Sequence, residues 1–171
     1  FRLDAFEVPE GKRQAKGTAI VNLLQLGPNE KIATLIEVDT TTNDDSYLLL
    51  ATKKGIVKKT KRSEFKNIKK WGLIAIGLRD DDELIDVKTT NGEKDVLLVT
   101  SKGMSIRFDE KDIRPMGRTA AGVKSMNLRE DDIAVCMDIA VDDEELLVIS
   151  ENGYGKRTPV SEYKRQNRGG V

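Results

Sequence analysis

Leu48-Leu49-Leu50-Ala51-Thr52-Lys53-Lys54-Gly55 returns as Val96-Leu97-Leu98-Val99-Thr100-Ser101-Lys102-Gly103, and again as Leu146-Leu147-Val148-Ile149-Ser150-Glu151-Asn152-Gly153. Gly55 to Gly103 is 48 residues and Gly103 to Gly153 is 50. The register holds past the glycines, where Ser63-Glu64-Phe65, Lys111-Asp112-Ile113 and Ser161-Glu162-Tyr163 each set an acid before a bulky apolar residue. A second glycine recurs at Gly17, Gly72, Gly122 and Gly170, and Ile20-Val21-Asn22-Leu23 is echoed by Ser125-Met126-Asn127-Leu128. The chain therefore reads as about three and a half units of about 50 residues, divided at 1–45, 46–94, 95–143 and 144–171. It is expected to begin and end inside a unit.

Each unit reads as four short strands. The apolar runs at 47–51 and 96–99 suit strands buried on both faces, and the turns ending in Gly55, Gly103 and Gly153 suit hairpins closed by a residue of positive φ. Third and fourth strands are expected at 73–78 with 84–87 and at 123–128 with 133–137, separated by acidic, solvent-facing turns at 79–83 and 129–132. No segment carries a sustained 3.6-residue apolar stripe, so helix should be scarce. Four-stranded units at this period describe an all-β, propeller-like array in which each sheet packs on its neighbours. Three and a half units do not close a ring, so either the array is open or the chain is part of a longer one.

Composition narrows the function classes. The 171 residues are 38% hydrophobic and 34% charged, a globular balance, and no apolar run approaches the roughly 20 residues of a membrane span. Histidine is absent and Cys136 is the only thiol, which removes His-based triads, His/Cys zinc sites and any intramolecular disulfide. No catalytic or metal-binding residues are assigned, and the tetrad Asp80-Asp81-Asp82-Glu83 lacks the EF-hand spacing. Gly153-Tyr154-Gly155-Lys156-Arg157-Thr158 is not a Walker A, because Ser150 stands where its first glycine would be and Arg157 follows the lysine. Cys136 reads as a small core residue, and Trp71 as packing between units.

Twenty-nine basic and 29 acidic residues cancel, but their order does not. Residues 53–70 contain nine cations, Lys53, Lys54, Lys58, Lys59, Lys61, Arg62, Lys66, Lys69 and Lys70, against Glu64 alone. The equivalent stretches carry Lys102, Arg107, Lys111, Arg114 and Arg118, then Lys156, Arg157, Lys164, Arg165 and Arg168. The remainder of each unit is acidic, as in Asp80 to Glu83 and Glu130 to Asp132. Charged turns are ordinary solvated surface, yet a sign kept in register over three copies predicts a basic band along one edge. Such a band bends duplex DNA through phosphate contacts without reading bases. The candidate DNA-binding residues are Lys53, Lys54, Lys58, Lys59, Lys61, Arg62, Lys102, Arg107, Arg114, Arg118, Lys156, Arg157, Lys164, Arg165 and Arg168. The competing readings are a protein-interaction propeller that uses its loop faces and, more remotely, a carboxylate-based hydrolase.

Four strings carry a family resemblance: Ile20-Val21-Asn22-Leu23-Leu24, Arg114-Pro115-Met116-Gly117-Arg118, Thr119-Ala120-Ala121-Gly122-Val123 and Asn152-Gly153-Tyr154-Gly155-Lys156-Arg157-Thr158. Together they resemble the C-terminal domain of bacterial DNA gyrase A, with the topoisomerase IV counterpart as the nearest competitor. The resemblance implies a β-pinwheel, here an incomplete set of four-stranded antiparallel blades that exchange strands, with double-stranded DNA wrapped on a basic rim. It implies protein partners in a gyrase A dimer and in gyrase B, ATP and Mg for that whole enzyme but no cofactor in this segment, and a bacterial, nucleoid-associated cytoplasmic setting. The cleaving tyrosine and the ATPase would lie outside this chain. The family's Gln-Arg-Arg-Gly-Gly-x-Gly box has only degenerate counterparts, in Lys12-Arg13-Gln14-Ala15-Lys16-Gly17 and Gln166-Asn167-Arg168-Gly169-Gly170-Val171, and the box itself is expected before Phe1.

Overall fold

A computed structural model describes residues 1–28, 30–37 and 45–170. Among these, nine strands follow in order: β1 (Tyr47–Thr52), β2 (Ile56–Lys61), β3 (Leu84–Thr90), β4 (Asp95–Thr100), β5 (Ser105–Asp109), β6 (Val123–Lys124), β7 (Ala134–Ala140), β8 (Glu145–Ile149) and β9 (Gly155–Pro159). The remaining regular structure among the described residues is short 3₁₀ turns, including Arg62–Phe65, Glu110–Asp112 and Val160–Glu162 at one repeated position after the hairpins. Asp39 and Asp44, part of the acidic stretch of the first unit, lie outside the described residues.

The hairpins form where the repeat places them. Gly55, Gly103 and Gly153 have φ of 71°, 76° and 81°, and each amide donates back to the residue three before it. A side chain there would meet the steric cost of left-handed backbone, which glycine avoids. β1 pairs with β2, β4 with β5 and β8 with β9, all antiparallel. A later strand returns to the free side of each of the first two hairpins: β3 on β1, and β7 on β4. Both pairings slip at the same place, between Ala51 and Thr52 and between Val99 and Thr100. Such a bulge adds local twist and re-aims the threonine that follows.

The first sheet takes its fourth strand from the next unit. Its order is β3-β1-β2-β6, with Ile56 opposite Lys124 and Val57 opposite Val123. Gly122 admits this approach, since a Cβ on it would lie 2.6 Å from the Val57 carbonyl oxygen. The other sheets are β5-β4-β7 and β8-β9. Strand exchange between neighbouring antiparallel blades is thus present, as the resemblance implies.

The expected strands at 73–78 and 123–128 are corrected by this arrangement. Only Val123–Lys124 enters a ladder; 73–78 forms no strand. One apolar residue of each is buried nonetheless, Ile76 against Leu48, Leu50 and Val87, and Met126 among Leu49, Val57 and Leu98, while Ile74 and Leu78 stay exposed. Alternating hydrophobicity reports which side chains are covered, and burial of side chains does not require a paired backbone.

Both faces of the first two hairpin sheets are covered, whereas Leu147, Val148 and Ile149 of the third are exposed. Leu49, Ala51 and Val57 of the first sheet share one core with Val96, Leu98, Ile106, Phe108 and Met137 of the second. Leu48 and Leu50 point to the opposite face, and Leu97 reaches the third hairpin through Val160, Leu146 and Tyr163. The period-2 alternation of a strand divides consecutive leucines between two cores. β3 and β7 run close together, which marks the side on which the first two sheets converge. There Lys88 bridges the units to Asp138 at 3.0 Å. Cys136 of β7 is exposed, as is Val135 before it, so its reading as a core residue is corrected: β7 buries Ala134, Met137 and Ala140 and leaves the residues between them less covered.

Candidate nucleic-acid interface

The basic stretches after the hairpin glycines divide into cations that hold the fold and cations that face solvent. Lys58 and Lys59 belong to the first group, at 0% and 4% exposure, and the expectation that they line a rim is not met. They lie in the middle of β2, where Ala75 of the same unit and Arg118 of the next close over Lys58, and Glu110 of the next closes over Lys59. The Lys58 ammonium donates to the carbonyls of Ala75, at 2.7 Å, and Arg118. Burial, assisted by the nearby Arg118 charge, pulls its pKa from 10.5 down to about 8. Lys59 donates to the Glu110 carbonyl at 2.7 Å, lies 3.8 Å from the Glu110 carboxylate and sits 5.3 Å from the Tyr47 ring centroid. Burial lowers its pKa also, against the opposing pull of Glu110 and Asp109.

Arg107 is the same position one unit on, and it plays the same part. Its guanidinium donates to the Val160 carbonyl at 3.2 Å, the register equivalent of Glu110, and pairs with Asp95 at 2.8 Å and Asp142 at 2.7 Å. Asp95 stands where Tyr47 stands in the first sheet. Arg165 completes the junction, bonding Asp95 at 2.6 Å and reaching Asp109 at 3.6 Å. These cations join consecutive units through main-chain carbonyls and buried acids.

Lys54 and Lys102 are exposed but tethered. Their ammonium groups donate to the carbonyls of Asp80, at 2.7 Å, and Glu130, at 2.6 Å. The acidic turns are therefore not merely solvated. Asp82 and Asp132 are buried and accept from the hydroxyls of Thr52 and Thr100, each at 2.7 Å, and from the amides of Lys54 and Lys102. Burial disfavours the charged Asp132, but hydrogen bonds from Thr100, Lys102, Ser101 and Ile133 outweigh it and hold its pKa below the usual carboxylate value. Asp81 and Asp131, one residue earlier, take φ of 57°.

The outward group recurs in register. Lys66, Arg114 and Lys164 stand eleven residues after Gly55, Gly103 and Gly153, and all three are exposed. Lys70, Arg118 and Arg168 share the second position of a turn closed by Gly72 onto Lys69, Ala120 onto Gly117 and Gly170 onto Asn167. Arg118 and Arg168 are partly exposed, and Arg168 also bonds the Lys124 carbonyl at 2.6 Å. Lys61, Lys156 and Arg157 are exposed, Arg157 with Glu145 at 3.0 Å; Lys53 is half-exposed near Glu83 and Arg62 half-buried. Lys66 and Lys70 fall outside the candidate set although the basic run contains them; their shared offset from the glycine is the signal that finds them.

Partial burial, reinforced by Asp86 and Asp138, pushes the Cys136 thiol up, away from the thiolate a nucleophile needs. Among the described residues no group of three or more acids or thiols is arranged to hold a metal, and no helix is long and apolar enough to cross a membrane.

The chain matches the family described as DNA gyrase C-terminal domain, beta-propeller, over residues 1–39, 46–91, 94–135 and 144–171. It is 50% identical to the DNA gyrase A protein of Staphylococcus epidermidis across 99% of its own length and 19% of that relative. A solved DNA gyrase A C-terminal domain superposes with a TM-score of 0.81 at 32% identity, covering 99% of this chain and 54% of the other. The C-terminal domain of DNA topoisomerase IV gives 0.83 at 33% identity, covering 91% and 49%. The chain thus spans about a fifth of the curated relative and about half of each solved domain. With its antiparallel blades, strand exchange and matched segments, this chain belongs to the DNA gyrase C-terminal domain family of β-propellers.

Proposed function

We propose that the chain is a non-catalytic DNA-wrapping module, bending duplex DNA along its outward cations to support ATP-dependent negative supercoiling by a gyrase in the bacterial cytoplasm. Residues 1–45, 46–94, 95–143 and 144–171 serve as successive blades of one pinwheel. A gyrase A dimer and gyrase B are the protein partners, with ATP and Mg used elsewhere in that assembly. One observation carries the reading: Lys66, Arg114 and Lys164 occupy one register position in three units and all face solvent. Cations repeated along a rigid array meet successive phosphates without demanding a base sequence. Lys58, Lys59 and Arg107 contribute by fixing the angle between blades, and the DNA-facing set is Lys61, Lys66, Lys70, Arg114, Arg118, Lys156, Lys164 and Arg168.

The test is a duplex labelled with a donor and an acceptor at its two ends. Binding is expected to bring the ends together, equally for unrelated sequences and reversibly with salt. Tight binding with unchanged end-to-end transfer would reduce the reading to simple attachment, and no binding at low salt would favour the protein-interaction alternative.

A further inference from the structure

Trp71 breaks the repeat. It holds the third position of the turn closed by Gly72 onto Lys69, where the neighbouring units place Thr119 and Gly169. It is 68% exposed, so the expectation that it packs between units is corrected. The Lys69 ammonium lies 5.1 Å from the indole centroid, and Trp71, Lys69, Asn67, Arg118, Phe1 and the single acid Glu30 line one open cleft of about 630 Å³. Lys66 and Lys70 flank the turn in sequence and are exposed. Ile74, three residues on, is 64% exposed where the next unit carries Lys124.

An indole left in water between Lys69 and Arg118, with exposed Lys66 and Lys70 next to it in sequence and Glu30 as the one acid lining the cleft, has a specific complement. The positive edge of the patch attracts a polyanion, and the apolar face needs a flat or sugar-like surface to leave water against. Duplex DNA offers both within one groove width: phosphates for the cations, and deoxyribose and base edges for the ring. Apolar wedges flanked by lysine and arginine are how proteins hold a bent minor groove. An acidic protein surface satisfies the cations alone and leaves the indole exposed.

We propose that Trp71 is a non-ionic DNA contact of this blade, set against the minor groove between phosphates held by Lys66, Lys70 and Arg118. The inference rests on the DNA-wrapping reading and gives one blade a grip that Thr119 and Gly169 cannot supply in the others. It makes wrapping uneven: DNA is anchored at this turn and only electrostatically guided at the equivalent ones.

Trp71 is the chain's single tryptophan, so its emission reports this site alone. A labelled duplex of about four helical turns is titrated, following label anisotropy for binding and indole fluorescence for the contact. Expected are quenching of the emission at saturation, and an affinity loss of at least about fivefold in Trp71→Ala with an unchanged salt slope, since no charge is removed. Trp71→Phe is expected to retain most of the affinity. Binding by anisotropy with unaltered indole emission, or a Trp71→Ala affinity within about twofold of wild type, overturns the inference and leaves the wrapping reading standing. Absence of any anisotropy change overturns both.

Discussion

The Asp132 carboxylate accepts from the Thr100 hydroxyl at 2.7 Å across 32 residues of chain, and Asp82 accepts from Thr52 at the same distance in the preceding unit. Each threonine follows a bulge, and each aspartate follows a residue of positive φ. The acidic turn is thereby pinned to the hairpin turn that carries Lys54 or Lys102.

Replacing Thr100 by valine keeps the shape and removes the donor, leaving a buried carboxylate short of a partner. Urea unfolding of Thr100→Val is expected to show a loss of roughly 1–3 kcal/mol, with Thr52→Val similar. Because the Asp132 pKa is depressed in the fold, its contribution is present above the unfolded carboxylate value and is lost as pH falls through the folded one. Asp132→Asn is therefore expected to flatten the acid limb of the stability profile, which thermal melts between about pH 2 and pH 5 would register.

Lys58 acts in the opposite pH range. Its folded pKa of about 8 lies below the unfolded 10.5, so the unfolded chain binds the proton more tightly. The charged lysine opposes folding at neutral pH, and stability rises as pH climbs from about 8 towards 10.5. Lys58→Met removes the titrating group. The melting temperature of wild type relative to this variant, followed from about pH 7 to pH 10, is expected to rise with pH, on top of a pH-independent cost of leaving the Ala75 and Arg118 carbonyls without their donor.

Lys59 and Glu110 form a buried pair, with the Glu110 carboxylate also held by Thr90 and by the Lys94 amide at 2.6 Å. Removing one member strands the other, and Lys59→Met or Glu110→Leu alone is expected to cost about 3 kcal/mol. The double variant should recover much of that loss, giving a large coupling energy in a double-mutant cycle by chemical unfolding. The salt slope of duplex binding by the folded Lys59→Met protein should match wild type, because no phosphate contact is removed, which separates a blade-joining lysine from a phosphate-binding one.

The repeat, the three hairpins and the all-β architecture are legible directly, because a glycine at positive φ after an apolar run leaves a trace at a fixed period. The basic band is legible only in part. Lys58 and Arg114 look alike in sequence, and what separates them is whether the next unit closes over them, a long-range fact with no local sign. Asp95 and Glu110 escape sequence reading for the same reason: each is an acid in a charged segment until a neighbouring unit closes on it, Arg165 of the following unit on Asp95 and Lys59 of the preceding unit on Glu110. Asp82 and Asp132 lie within its reach, since each recurs at nearly the same distance from its hairpin threonine.

The salt dependence of duplex binding by the triple variant Lys66→Ala/Arg114→Ala/Lys164→Ala tests the central claim most directly. If these three residues neutralise phosphates, log affinity against log salt should lose about 2.7 from its slope, about 0.9 for each cation removed, with the loss spread evenly over unrelated sequences. A slope equal to that of wild type would show that the recurring outward cations do not hold the DNA.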